Sequence, residues 1–262
     1  MRILFIGDIV GRPGLTAVKT AVPKLRAERG IDVVIANAEN VTNGSGCLPS
    51  AYRQLREAGV DLVTLGDHCF KKSDIIDLMA TEERLCRPAN FPAAAPGREF
   101  ATFTLPDGQR IVAICVLGRT FMRPADCPFA ALDRLLGQWR DAIVIVDAHA
   151  EATAEKYLLA HHLKGRVAAV LGTHTHVPTA DEQILPGGTA FICDVGMTGP
   201  YDGILGRKVE PVLKHALTFE PTTFDVADGD VRLGGAIVDV EAVTRRATAI
   251  ERVTVKISAG FS

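Results

Sequence analysis

Gly172-Thr173-His174-Thr175-His176 follows the short apolar run Val167–Leu171. Two imidazoles one residue apart at the end of a buried strand can face one point, and neutral imidazole is the commonest nitrogen ligand of transition metals. Four other stretches repeat this layout of an apolar run ending in polar groups: Gly7-Asp8, Ala38-Glu39-Asn40, Gly66-Asp67-His68 and Asp147-Ala148-His149. One strand-end histidine alone would read equally well as a hydrogen-bonded structural residue. Four of them, His68, His149, His174 and His176, together with Asp8, Glu39, Asn40 and Asp67, read as a metal site. The other three histidines, His161, His162 and His215, fall in helix-like or loop segments and need no role. Carboxylate, amide oxygen and imidazole without thiolate suit Fe, Mn or Zn. An all-oxygen Mg²⁺ or Ca²⁺ site would not need so many imidazoles. The inventory exceeds one ion's needs, whereas two ions about 3.5–4 Å apart would use it.

Such residues converge only if the runs before them are strands of a sheet whose carboxyl ends share one edge, where α/β sheets bind ligands. Residues 2–7, 32–37 and 61–65 read as strands, with helices expected at about Leu15–Glu28 and at 49–58. Gly11-Arg12-Pro13-Gly14 reads as a turn, and Pro23 is expected to bend or split the first helix. This β-α-β-α-β rhythm implies parallel strands with helical crossovers. Residues 87–96 read as an extended Pro/Ala-rich connection, and Phe100–Leu105 with Arg110–Leu117 as a hairpin. Pro128–Trp139 and Glu151–Lys164 read as helices around the strand Ala142–Asp147. Past His176, Ile184–Gly188 reads as a turn, Thr189–Cys193 as a strand and Asp194–Pro200 as a Gly-rich loop. Val231–Val240 and Ala247–Val255 alternate, which predicts antiparallel strands with one wet face. The expectation is one α/β domain over 1–262, parallel-leaning in its first half and antiparallel in its second, with two packed sheets flanked by helices.

The bulk numbers fit a soluble globular chain: 262 residues, 47% hydrophobic, 23% charged. A net charge of −2 gives no field to recruit long nucleic acid or an acidic membrane. No apolar run approaches the roughly 18 residues of a membrane span. The N-terminal apolar run is too short for an export signal and ends on Asp8, so a cytoplasmic location is expected. The six cysteines form no C-x-x-C pair, and no disulfide framework is expected.

The motifs resemble the calcineurin-like metallophosphoesterases, which carry D-x-H, G-D-x-x-D, G-N-H-[DE], a lone His and G-H-x-H in that order. Val10 stands where the superfamily has the first His, and Glu39 where it has the bridging Asp. Both departures match the YmdB-type phosphodiesterase branch. So do Gly7-Asp8-Ile-Val-Gly-Arg-Pro-Gly14, Asn37-Ala-Glu-Asn40, His149-Ala-Glu-Ala-Thr153, Gly172–Asp181 and Asp194–Pro200. The resemblance implies the two-sheet metallophosphoesterase sandwich and a dinuclear site, of iron (Fe²⁺/Fe³⁺) first and Mn²⁺ or Zn²⁺ otherwise. By analogy Asp8, Asn40 and His176 hold one ion, Asp67, His149 and His174 the other, and Glu39 bridges. A metal-bridging hydroxide would attack phosphorus, with His68 as general acid. The branch usually carries Asn at the position of Asp67.

The implied substrate is a small nucleotide or phosphodiester, with 2′,3′-cyclic nucleotides first among them. The Asn43–Gly46 loop reads either as a phosphate-binding run of N–H groups or as a plain flexible loop. A non-catalytic, metal- and nucleotide-binding regulator remains the alternative reading. A dinucleotide-binding module does not fit, because Gly7, Gly11 and Gly14 match neither G-x-G-x-x-G nor a P-loop. Homo-oligomerisation is left open by the sequence.

Overall fold

The computed structural model describes residues 1–258 of the chain. The last four residues assigned above to the single domain lie outside the described ones. In chain order the elements are β1 (Arg2–Ile6), α1 (Gly11–Arg29), β2 (Val33–Asn37), α2 (Pro49–Glu57), β3 (Leu62–Thr64), α3 (Ile75–Thr81) and β4 (Leu85–Cys86). Then follow β5 (Ala101–Thr104), β6 (Arg110–Leu117), α4 (Pro128–Leu136), β7 (Ile143–His149), α5 (Thr153–Leu163) and β8 (Ala169–Thr173). The last part holds β9 (Gln183–Leu185), β10 (Thr189–Ile192), β11 (Gly199–Asp202), α6 (Val209–Thr218), β12 (Gly229–Glu241) and β13 (Arg246–Lys256).

Two mixed sheets form. The first runs β11-β12-β1-β2-β3-β4 with β13 on β12, and the second runs β5-β6-β7-β8-β10-β9. Successive side chains of a strand point to opposite faces, and the cores follow that rule. Ile3 and Phe5 of β1 join Ile143, Ile145 and Leu171 of the second sheet in the layer between the sheets. Leu4 and Ile6 pack outward with Val18, Val22 and Leu55 of the first pair of helices. Val144, Val146 and Val170 face Leu132, Leu135, Leu159 and Leu163 of α4 and α5 on the far side. The order is helix, sheet, sheet, helix. The parallel strands β1, β2 and β3 of one sheet and β7 and β8 of the other send their carboxyl ends to one edge. No helix among the described residues is long and apolar enough to cross a membrane.

Several expectations are corrected. Gly11–Gly14 is the first turn of α1, opened by Gly11 at φ +62°. A proline there removes no helix hydrogen bond. Pro23 lies inside an unbroken α1, so it does not split the helix. An interior proline costs ~3 kcal/mol, but buried Val18, Val22 and Leu25 each return about 1.5–3 kcal/mol. The two sheets do not divide the chain into parallel and antiparallel halves. The first is parallel from β1 to its edge strand β4 and antiparallel on the other side of β1, and the second has a parallel centre between two antiparallel pairs. Strand β12 has no wet face from Leu233 to Val238, since it is covered on both sides there. Strand β13 does keep one, with Ala247 and Val253 buried among exposed neighbours. Helices α3 and α6 and the short strands β4, β9 and β11 were not expected. Helix α6 buries no residue, so no core stripe marks it.

Candidate metal centre

Five strand ends deliver the site. Asp8 follows β1, Glu39 and Asn40 follow β2, Asp67 and His68 follow β3, His149 ends β7, and His174 and His176 follow β8. Glu39 and His149 are buried between the sheets at 1% and 0% exposure, close together because residue 66 is glycine. A Cβ there would lie 2.3 Å from His149 Nε2 and 2.4 Å from Glu39 Oε2.

Glu39, Asp67, His149 and His174 present donor atoms all within 4.8 Å of one another. His149 Nε2 lies 3.1 Å from Asp67 Oδ1, 3.1 Å from His174 Nδ1 and 3.4 Å from Glu39 Oε1. An ion with bonds of about 2.0–2.3 Å holds neighbouring ligand atoms roughly 3–3.5 Å apart, so the cage fits a metal of that size. Burial alone would push the Glu39 carboxyl up, but the positive charge and hydrogen bond of His149 overcome it and hold its pKa low. Asp67 is likewise held well below the usual carboxylate range, against burial, by hydrogen bonds from His149 and His174. Burial would lower His149, yet Glu39 and Asp67 raise it well above an ordinary imidazole. Without an ion the acids hold a proton on His149, and a cation that binds there would release it.

The second group is looser. Asp8 is fully buried, its Oδ2 accepts the His174 backbone N–H at 3.0 Å, and its Oδ1 has no partner. A buried carboxylate oxygen left bare is costly unless a cation serves it. His176 Nε2 faces that oxygen at 3.8 Å. Asn40 does not turn its oxygen to them. Its Oδ1 accepts from His68 Nδ1 at 2.7 Å, while Nδ2 faces Glu39 Oε1 at 3.1 Å and His176 Nε2 at 3.3 Å. His68 Nε2, 3.7 Å from Asp67 Oδ2, belongs to a half-buried ring on the wall of a cavity of about 290 Å³. Glu151, Leu205 and Arg207 also line it. Arg207 donates to the carbonyls of Asn43 and Gly44, which holds the loop after Asn40 in place. Arg12 lies elsewhere, in a separate surface cavity with Asp228 and Lys256.

Each imidazole of His149, His174 and His176 has one nitrogen tied back. Thr173 Oγ1 donates to Asp147, so it accepts from His149 Nδ1–H at 2.8 Å, leaving Nε2 for the cage. His174 Nε2 pairs with Glu151 Oε2 at 3.1 Å, leaving Nδ1. His176 Nδ1 donates to the Leu205 carbonyl at 3.1 Å, leaving Nε2. Carboxylate or carbonyl acceptors behind ligand histidines fix tautomer and raise basicity.

The supporting residues were not singled out from the sequence. Asp147 is fully buried and also accepts from Thr64 Oγ1 at 2.6 Å and Asn37 Nδ2 at 3.0 Å. Burial pushes its carboxyl up despite the pull of His149 and the two hydroxyls. Its signal was the two-residue spacing to His149, which puts both on one strand face. Lys156 of α5 and Asp194 after β10 form a buried ion pair at 2.7 Å. The same Asp194 oxygen accepts Thr175 Oγ1 at 2.7 Å and Thr175 N–H at 3.2 Å. That clamp grips the residue between His174 and His176, whose φ angles are +93° and +65°. Left-handed backbone at non-glycine residues costs about 1–3 kcal/mol each and persists where surroundings enforce it.

Known proteins resemble this chain over nearly its whole length. A 45% identical Bacillus subtilis (strain 168) protein, aligned over 97% of both chains, is a 2′,3′-cyclic-nucleotide 2′-phosphodiesterase. The crystal structure of a hypothetical Thermus thermophilus protein matches with TM-score 0.92 and 45% identity, covering 98% of this chain and 99% of that one. A Mycoplasma pneumoniae structure described as a novel phosphatase matches with TM-score 0.91 and 31% identity, over 98% of this chain and 93% of that one. The family model for YmdB-like proteins matches residues 4–253, and this chain belongs to that family.

Proposed function

We propose that the chain works as one domain and is a dinuclear-metal phosphodiesterase of small phosphodiesters, with 2′,3′-cyclic nucleotides as its substrates. The observation that carries this is the set of three imidazoles, His149, His174 and His176. Each spends one nitrogen on a protein oxygen and turns the other toward bare or crowded carboxylates. A regulator that merely bound metal would need no free proton carrier beside the cage, and His68 is one. The Bacillus relative's activity supports the substrate class.

In this reading Asp67, His149 and His174 hold one ion, Asp8, Asn40 and His176 the other, and Glu39 both. Asn40 fills its role once its carboxamide turns over, which exchanges oxygen and nitrogen at little cost. Iron is the first expectation for both positions, with Mn²⁺ or Zn²⁺ also suited to mixed oxygen and imidazole donors. Bound cations supply Lewis acidity at phosphorus and make water nucleophilic near neutral pH. The protein residues do the rest. With the carboxamide turned, Asn40 Nδ2 donates to His68 Nδ1, so the ring's proton sits on Nε2 for the departing alkoxide. The cavity of about 290 Å³ is of the scale of one small nucleotide. All six cysteines are free thiols, which supports a reducing, cytoplasmic setting. Turnover of 2′,3′-cyclic nucleotides and bis-p-nitrophenyl phosphate by protein loaded with Fe, Mn or Zn tests the reading. No diester turnover with any of the three metals would refute it.

A further inference from the structure

At the edge of the second sheet opposite the metal centre lies a cavity of about 490 Å³. It opens beside Ala142 and Ala168, at the amino ends of β7 and β8, whereas the metal-facing histidines lie at the carboxyl ends. Arg140, Arg166, Arg245 and Arg246 line it, and Asp133 is its one carboxylate. Asp133 is already engaged by Arg166 at 2.6 Å and by His162 at 2.9 Å. Among the described residues no carboxylate pairs with Arg140, Arg245 or Arg246. Four guanidiniums against one carboxylate leave a local excess of three positive charges, in a chain whose net charge is −2. Like charges gathered at one cavity repel unless an anion joins them.

The indole of Trp139 lies on the cavity wall. The ring itself is already packed, with the Arg110 guanidinium 5.6 Å from its centroid and Phe100 edge-on at 4.9 Å. Recognition therefore runs through N–H groups rather than through base stacking. Arg245 and Arg246 are presented by a pinned turn, in which Glu241 accepts the N–H groups of Val243 and Thr244 at 2.9 and 2.7 Å.

We infer that this cavity is a second ligand site, which binds a small multivalent oxyanion through its phosphate or diphosphate group. Guanidinium forks match phosphate oxygens in pairs. The site is separate from the metal centre, and its test does not depend on the phosphodiesterase reading.

Trp139 is the only tryptophan of the chain, so intrinsic fluorescence reports on this cavity. Metal-loaded protein is titrated with inorganic phosphate and with adenosine 5′-diphosphate, with chloride at matched ionic strength as control. A saturable fluorescence change with the phosphates and none with chloride is expected. Equal affinity for both ligands would identify the free ion as the occupant, and tighter adenosine 5′-diphosphate binding a nucleotide's diphosphate. The double variant Arg245→Ala/Arg246→Ala should weaken binding by about a hundredfold, roughly tenfold per charged hydrogen-bond donor lost. Arg140→Ala, on a different element, should weaken it by about tenfold for the same reason. Absence of a saturable change with either phosphate, or undiminished affinity in these variants, would overturn the inference.

Discussion

Around Glu39 the donor atoms of Asp67, His149 and His174 already stand 3.1–3.4 Å apart, whereas His176 Nε2 is 3.8 Å from Asp8 Oδ1 and Asn40 gives its oxygen to His68. The tighter half has one ligand on a strand. His149 is the last residue of β7, and its ring is locked through Thr173 to Asp147 inside the core. In the looser half every ligand lies past a strand end. His176 follows β8 by three residues and is tied to the carbonyl of Leu205, whose side chain is exposed. Ligands locked by packing need little reorganisation to receive an ion, and ligands on loops are ordered by the ion itself. The expected order is that the Glu39–Asp67–His149–His174 position fills first and holds its metal more tightly.

Glu39 is common to both halves, so its loss should erase the difference between them. Glu39→Gln is expected to abolish binding of both ions and all measurable turnover, read by metal analysis and a diester assay. Two retained ions with activity would remove Glu39 from the bridging role. Gly66→Ala should come close to that effect, because the new Cβ collides with both Glu39 and His149. A variant that keeps two ions would mean that the strand end shifts to make room.

His68 touches neither half as a ligand. His68→Ala should keep both metals and slow turnover by ~10²–10⁴-fold for poor leaving groups. The slowing should be much smaller for p-nitrophenolate, which needs no proton. Equal slowing for both leaving groups would move His68 to substrate orientation.

The Lys156–Asp194 clamp grips the segment that gives one histidine to each half. Lys156→Met strands a buried carboxylate, and breaking such a pair costs about 3–5 kcal/mol of stability. The expected readouts are a lower thermal midpoint and affinity for both ions reduced by roughly 10–100-fold. Undiminished affinity for both ions would show that the clamp holds the fold rather than the His174–His176 segment.

The smallest effect is expected at Asp67. Its Oδ1 points into the cage and its carboxyl is held ionised, so its charge counts. Asp8, Glu39 and Asp67 set three negative charges against the four positive charges of two divalent ions. Asp67→Asn leaves two negative charges, which should lower KM for anionic diesters and make a ferric ion harder to keep. Unchanged KM and an unchanged iron potential would rule the charge argument out.

Residue types and strand-end spacing were enough to identify the eight candidate site residues. Apolar runs ending in Asp, Glu, Asn or His leave a local signature that survives without coordinates. The central strands and the flanking helices were legible for the same reason, because burial on a regular element imposes a period on the chain. The partners behind the site were not legible. Nothing near Lys156 in sequence says that it meets Asp194, 38 residues on, or that the pair grips Thr175. Asp147 reads as one more polar residue of a strand until Thr64, Asn37 and Thr173 converge on it. Helix α6 escaped notice because it packs into no core, and β12 was misjudged because its second face is covered by elements far away in sequence. Sequence alone determined which chemical groups this protein brings to one edge, since side-chain identity and strand period are local properties. Tertiary structure decided which nitrogen of each histidine is free, which carboxylate oxygen stays bare and which half of the centre is rigid. Those depend on hydrogen bonds between residues that only folding makes neighbours.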